Sequence, residues 1–233
     1  MPNVDNIHQW LGGTPEHLSK SDYKPVEIDF AFMVSQGTDS WQLDFNTIYE
    51  RPRSYFLRSF LVKADLQYVN RVTNRRNITK ERDSYTTLAC AAALKARRNG
   101  AVALFTTQKN HVVSLANKLI ELCLNNTPVA QYSPSVAREL PDLVEYIAFQ
   151  FGITYSLSQL LKYGIGFHHG DLPQEIRREM ENAIQNRAVD ILICTSTLAE
   201  GVNLPIRTLV VHTIKRYDGK SLRSIEKEAL RIL

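Results

Sequence analysis

Short apolar runs separated by helix-length stretches are what most restrict the fold of this 233-residue chain. Ala101–Phe105 is a continuous apolar run, and Asp190–Cys194 and Leu209–His212 read the same way, as strands buried on both faces. Gly164–His168 is a further strand candidate. Helical periods fill the gaps. Tyr85, Leu88, Ala92 and Lys95 run through an alanine-rich stretch that stops at Asn99-Gly100. Val112/Val113, Leu115/Ala116, Leu119 and Leu122/Cys123 share one side of a helix that Thr107 is placed to cap. Val136, Leu140, Leu143/Val144, Ile147 and Phe151 line another, and Ser156–Lys162 is a short one. Leu172, Ile176, Met180 and Ala183/Ile184 give a last helix one apolar face, with Asp171 and Gln174 spaced as its capping box. Apolar strands alternating with helices predict an α/β fold, a parallel sheet with helices on both faces. Right-handed crossovers then bring every strand's C-terminal end to one edge, where the functional loops of such sheets lie.

The first 80 residues lack this grammar. Val26–Phe32 alternates apolar and acidic, the period of a half-buried strand, and Ser54–Val62 is a weaker candidate. Asn70–Arg82 is polar and basic and reads as a linker or exposed loop with solvated charge. Hydrophobic residues at 44% and charged residues at 22% exclude wholesale disorder. No apolar run reaches the ~18 residues of a membrane span, and Asp5, His8, Glu16 and Lys20 break any signal-peptide core. Three cysteines, Cys90, Cys123 and Cys194, with no C-x-x-C spacing, fit neither a disulfide framework nor a zinc ribbon. The expectation is a soluble, reduced, intracellular (cytoplasmic) protein with no membrane partner. A net charge of +4 permits nucleic-acid binding without arguing for it.

Three loops leave the strand ends: Thr106-Thr107-Gln108, His169-Gly170-Asp171, and the segment from Thr195 to Pro205. Each is rich in hydroxyls, glycine or small polar groups, and two open directly into helices. Helix N-termini offer unpaired N–H groups and partial positive charge to a phosphate. Any one of these loops has a plainer explanation, since Thr and Asp are ordinary caps; their convergence on one edge is what suggests a phosphate backbone. Thr197-x-x-Glu200 is itself a capping box for a one-turn helix that Gly201 ends. His168 and His169 point to opposite faces if both are in the strand and have no third ligand nearby, so no metal site is expected. Cys194 reads as a small core residue.

These loops resemble motifs of the superfamily-two nucleic-acid helicases of the DEAD/DEAH type, particularly the Ski-like and Hel-type branch. Residues 191–205, Ile-Leu-Ile-Cys-Thr-Ser-Thr-Leu-Ala-Glu-Gly-Val-Asn-Leu-Pro, resemble motif V in its T-x-T-L-A-x-G-V-N-L-P form; residues 103–107 resemble motif IV; residues 169–177 resemble the H-G-x-x-x-Q-x-x-R stretch between them. Residues 6–12 and 23–26 are similar to the segment leaving the first RecA-like domain. The resemblance implies a RecA-like second helicase domain over 81–233, preceded over 1–80 by an exit segment and linker from the first.

It also implies roles. Thr106, Thr107, His169, Gly170, Thr195, Ser196 and Thr197 would hold nucleic-acid phosphates, contacts that carry no base sequence. Glu200, Gly201 and Asn203 would face the ATP cleft between two RecA-like domains, while Gln174 and Arg177 support the surface, although Gln174 also reads as a helix cap. The implied partners are single-stranded or duplex nucleic acid, RNA or DNA, and the first RecA-like domain. No G-x-x-x-x-G-K-[ST], no D-E-x-H box and no Q-x-x-G-R-A-G-R motif occurs in these residues. The expectation is therefore a fragment of a larger ATP-dependent helicase that uses ATP and Mg²⁺, the chain by itself binding neither and being inactive, truncated before the arginine-finger motif. The alternative is a degenerate, non-catalytic helicase module that binds nucleic acid or a protein. An unrelated sugar-nucleotide enzyme fits less well, because no Gly-rich turn follows the first strand of the sheet.

Overall fold

Burial of short aliphatic strands organises the computed structural model, which describes residues 29–45, 55–131, 140–195 and 204–213, together with the backbone of 215–217 and 222–224. The chain divides into two compact units, one of 1–36 with 41–60 and the other of 37–40 with 61–233. In the first, β1 (Ala31–Ser35) pairs antiparallel with β2 (Ser40–Phe45), Met33 opposite Leu43, and β2 lies beside β3 (Tyr55–Val62). The alternating run thus forms a strand from Ala31 onward, with 26–28 outside the described residues. Phe45 and Tyr55 stack with ring centroids 4.5 Å apart.

Residues 61–80 cluster with the second unit, and the loop expected over 70–82 is partly a hairpin of β4 (Gln67–Val69) and β5 (Arg76–Ile78). The Asn70 side chain accepts from the amides of Val72 and Thr73 at 2.9 and 3.0 Å, which closes the turn. Just before it, buried Asp65 accepts from Lys95 Nζ at 2.7 Å, tying the hairpin to the first helix. That helix, α1 (Tyr85–Ala96), starts at Ser84, whose hydroxyl accepts from the Thr87 amide. Its buried Ala89, Ala91, Ala92 and Ala93 are small enough to let it lie close on the sheet. A short turn then ends at Gly100, whose φ of +141° suits only glycine; a Cβ there would sit 3.0 Å from Arg207 Cδ.

The sheet is β6 (Val102–Phe105), β7 (Ile165–His168), β8 (Ile191–Cys194) and β9 (Thr208–Val211), all parallel in the order β7-β8-β6-β9. This is the RecA-like α/β arrangement expected from the sequence. Every residue of β6, β7 and β8 is buried, whereas edge strand β9 is half-buried, so the run at 209–212 is not the doubly covered strand its apolar residues predict. The four residues of β8, Ile-Leu-Ile-Cys, are fully covered; each aliphatic side chain is worth about 1.5–3 kcal/mol in removal from water.

From β6 the chain runs through α2 (Lys109–Leu124), α3 (Pro141–Phe151) and α4 (Ser156–Leu161) to β7, then through α5 (Gln174–Gln185) back to β8. The two crossovers travel in opposite directions along the sheet, which places α5 on the face opposite α2. Gly166 makes close seating of α5 possible: a Cβ there would stand 3.0 Å from Met180 Sδ. The apolar face expected along α3 is only partly used, with Ile147 buried but Phe151 exposed; Val136 lies outside the described residues. A hairpin, β10 (Lys215–Tyr217) with β11 (Leu222–Ser224), follows β9. No described helix is long and apolar enough to cross a membrane.

All three cysteines are free and buried. Burial pushes the Cys123 thiol up to about 11 and the Cys194 thiol up to about 12, which removes them as nucleophiles at neutral pH and fits Cys194 as a core residue.

Candidate nucleic-acid interface

Register places the candidate residues side by side. Phe105, Cys194, His168 and Val211 are ladder partners across the four strands. The residues that follow them, His169, Thr195, Thr106 and His212, therefore form one row along the C-terminal edge of the sheet. At ~4.8 Å between strands the row is about 14 Å long, enough to run beside about four stacked nucleotides of one strand. The Thr106 amide donates to the Cys194 carbonyl at 2.9 Å, and the His212 amide donates to the Phe105 carbonyl at 2.9 Å, so the ladder continues one residue past the strands.

Thr106 and Thr195 are buried, Thr107 and His169 half-buried, and Gly170 and Gln174 exposed. The Thr106 hydroxyl is engaged within the fold. Its Oγ1 is 3.2 Å from His111 Nδ1 and 3.5 Å from His212 Nδ1, and His212 Nε2 is 3.3 Å from Thr86 Oγ1. The two rings meet edge to face with centroids 5.3 Å apart. Four elements thus converge here: the first turns of α1 and α2 and the ends of β6 and β9. The Thr106 hydroxyl, for which the motif resemblance implies a phosphate contact, stands between these two rings. Thr107 is not the helix cap either. Residue Gln108 holds that position and α2 begins at Lys109 without a side-chain cap, which leaves the first amides of α2 without that partner.

At the second loop, the His169 ring stacks on Phe167, 5.4 Å between centroids, and its Nδ1 accepts from the Asp171 amide at 3.3 Å. Burial lowers the His169 pKa, so the ring meets this edge as a neutral group. A Cβ on Gly170 would meet nothing within 4 Å, so the space beside it is open. The capping box expected from Asp171 and Gln174 is absent. Pro173 occupies the cap position of α5, and the Asp171 carboxylate pairs instead with Lys109 Nζ, which lowers its pKa. That exposed pair joins the start of α2 to the loop after β7.

Behind the edge, buried His168 has Nε2 3.1 Å from Glu181 Oε1. Desolvation lowers the His168 pKa even though Glu181 pulls it up, and the guanidinium of Arg177 adds to the lowering. Arg177 Nε and His168 Nδ1 are buried with no hydrogen-bond partner among the described residues. Arg177 thus acts on His168 through its charge, while Gln174 stands exposed at the start of α5. Ser196, Thr197, Glu200, Gly201 and Asn203, the remainder of the motif V expectation, lie outside the described residues.

Sequence reasoning overlooked His111, His212 and Thr86. The available signal was positional: His212 directly follows the fourth strand, so it must complete the row that Thr106 belongs to. Among the described residues no group of three His, Cys, Asp or Glu side chains is placed to hold a metal ion. What the edge offers, among the described residues, is hydrogen-bonding groups, helix-start amides and the exposed Lys109–Asp171 pair, groups of the kind that can meet an anionic backbone.

Comparison with known proteins agrees with this geometry. Residues 86–223 match the helicase conserved C-terminal domain. The chain is 31% identical over 217 residues to the ATP-dependent DNA helicase Hel308 of Caldivirga maquilingensis, an alignment covering 93% of this chain and 24% of that protein. It is 30% identical over 125 residues to activating signal cointegrator 1 complex subunit 3 of Danio rerio, covering 54% of this chain and 8% of that protein. The DExH-box ATP-dependent RNA helicase DExH14 of Arabidopsis thaliana is 28% identical over 132 residues, 57% of this chain and 6% of that protein. The chain thus spans about a quarter of the Hel308 relative and much less of the other two. With a four-stranded parallel sheet flanked by helices and a family match over most of its second unit, the chain belongs to the helicase C-terminal domain family, in the branch of Hel308 and the Ski2-like DExH helicases.

Proposed function

We propose that this chain is the second RecA-like domain of an ATP-dependent helicase and that its sheet edge grips the backbone of single-stranded nucleic acid. The row His169–Thr195–Thr106–His212 carries the reading, because it aligns three motif-bearing loops on adjacent strands. Phosphates would be held by the amides that open α2 and the loop at Gly170, with Thr107, Thr195, Ser196 and Thr197 beside them; Thr106 acts from beneath. Glu200, Gly201 and Asn203 would face ATP and Mg²⁺ bound against a first RecA-like domain, so that nucleotide state alters the grip. The relatives include both a DNA helicase and an RNA helicase, and backbone contacts of this kind serve either.

The test is anisotropy of labelled single-stranded DNA and RNA titrated with the 233-residue chain. With one phosphate neutralised by Lys109 at this edge, the log–log salt slope is about −0.7, so affinity falls about two- to threefold from 50 to 200 mM salt. His169→Asp, which sets a negative charge at the row's end, weakens binding further. Affinity that is absent, or indifferent to salt and to His169→Asp, refutes the reading.

A further inference from the structure

A buried threonine shared by two histidines from different elements is the least expected feature of this edge. A hydroxyl carries one proton and two lone pairs, so Thr106 Oγ1 can bond both rings at once, through Nδ1 of His111 at 3.2 Å and Nδ1 of His212 at 3.5 Å. The second ring is fixed again by Thr86 at the start of α1. Because Thr106 is wholly buried and immediately precedes Thr107, whatever holds its side chain also fixes the direction in which the loop leaves β6. His111 stands in the first turn of α2, so the same contact sets where the opening amides of that helix point.

We propose that His111 and His212 are positioning residues for backbone binding: the Thr106 clasp holds the Thr107 loop and the start of α2 in the orientation that receives a phosphate. The proposal rests on the reading of this edge as a nucleic-acid grip. Neither imidazole needs to touch the ligand. Both act through Thr106. Burial and His111 together lower the His212 pKa.

The experiment compares the whole chain with His111→Ala, His212→Ala, the double alanine variant, and His111→Asn and His212→Asn, using a labelled single-stranded oligonucleotide at low salt. Asparagine places a hydrogen-bonding atom where Nδ1 stands and cannot titrate. Each alanine variant weakens binding about five- to tenfold, the loss of one effective hydrogen bond. The double variant is little worse than either single one, because both rings act on one hydroxyl. The asparagine variants recover most of the affinity, and the imidazole ¹⁵N signals of both histidines shift when oligonucleotide is added to the unsubstituted chain, which a pair serving folding alone would not do. Unchanged affinity in folded alanine variants overturns the proposal and leaves the backbone reading intact. No binding by the unsubstituted chain removes both. Where circular dichroism shows an alanine variant unfolded, the asparagine variants and the imidazole signals decide: affinity retained with shifted signals supports the clasp, and unshifted signals refute it.

Discussion

Arg97 and Asp190 form an ion pair at the opposite, N-terminal edge of the sheet, and its removal gives a sharp test of how burial governs this fold. The Arg97 side chain is 2% exposed and that of Asp190 14%, with Nε donating to Oδ2 at 3.1 Å. Arg97 also donates from an η nitrogen to the Tyr163 carbonyl at 3.0 Å, and Asp190 Oδ1 has no partner among the described residues. Burial pushes the Asp190 carboxyl up to about 6 against the pull of Arg97. An aspartate in the unfolded chain titrates near 3.9. Between ~4 and ~6 the folded state therefore binds more protons than the unfolded state, so stability contributed here falls as pH rises and levels off above 6.

Arg97→Met keeps the apolar stem and removes the charge. The stranded carboxyl titrates higher still, so the fall in stability continues above pH 6 at about 1.4 kcal/mol per pH unit. Relative to the unsubstituted chain, that adds about 2 kcal/mol of loss between pH 6 and 7.5, within a total of about 3–5 kcal/mol at neutral pH. Urea unfolding followed by far-ultraviolet circular dichroism at several pH values reads this directly. Histidine contributions are common to both proteins and cancel in the difference. Adding Asp190→Asn to the variant abolishes the extra slope. Parallel stability curves for Arg97→Met and the unsubstituted chain above pH 6 would refute the reasoning.

Other consequences follow from the same structure. Leu104→Ala, in the fully covered strand β6, lowers stability by about 2–5 kcal/mol in urea unfolding; a loss below 1 kcal/mol would mean the strand is not packed as described. Burial lowers the pKa of His168, His169 and His212, so these groups contribute stability that is present above pH ~6.5 and lost as pH falls below it toward their folded values. Melting temperature should accordingly drop from pH 7.5 to 5.5, less so in His168→Asn, and an equal drop in both proteins would exclude His168 as a contributor. Gly100→Ala forces φ of +141° on a residue with a Cβ that would lie 3.0 and 3.1 Å from Arg207 carbons, a loss of about 1–3 kcal/mol measurable as a lower urea midpoint; an unchanged midpoint would mean the turn relaxes freely.

What the sequence determined by itself was the fold class and the edge. Unbroken aliphatic runs such as Ile191–Cys194 must be covered on both faces, and helical periods between them leave little but a parallel sheet with crossovers. The loops at Thr106, His169 and Thr195 then share one edge because the strands run parallel. Local cap chemistry was the less reliable guide. Asp171 with Gln174 has the spacing of a cap, but an exposed carboxylate near Lys109 finds a better partner across the edge, and Pro173 takes the helix start. Apolar runs also do not report how well a strand's faces are covered, which is why β9 is half-covered although Leu209–His212 reads like a core strand, while β7, at the other end of the sheet, is buried. The Thr106–His111–His212 clasp needed the tertiary structure outright. Its members are 5 and 106 residues apart, with Thr86 another 126 from His212, and no spacing rule links such positions. Only strand register sets Thr106 beside His212, and only packing of the helix starts over that edge supplies His111 and Thr86. Side-chain periodicity is written along the chain, whereas a shared hydrogen bond depends on which strands become neighbours.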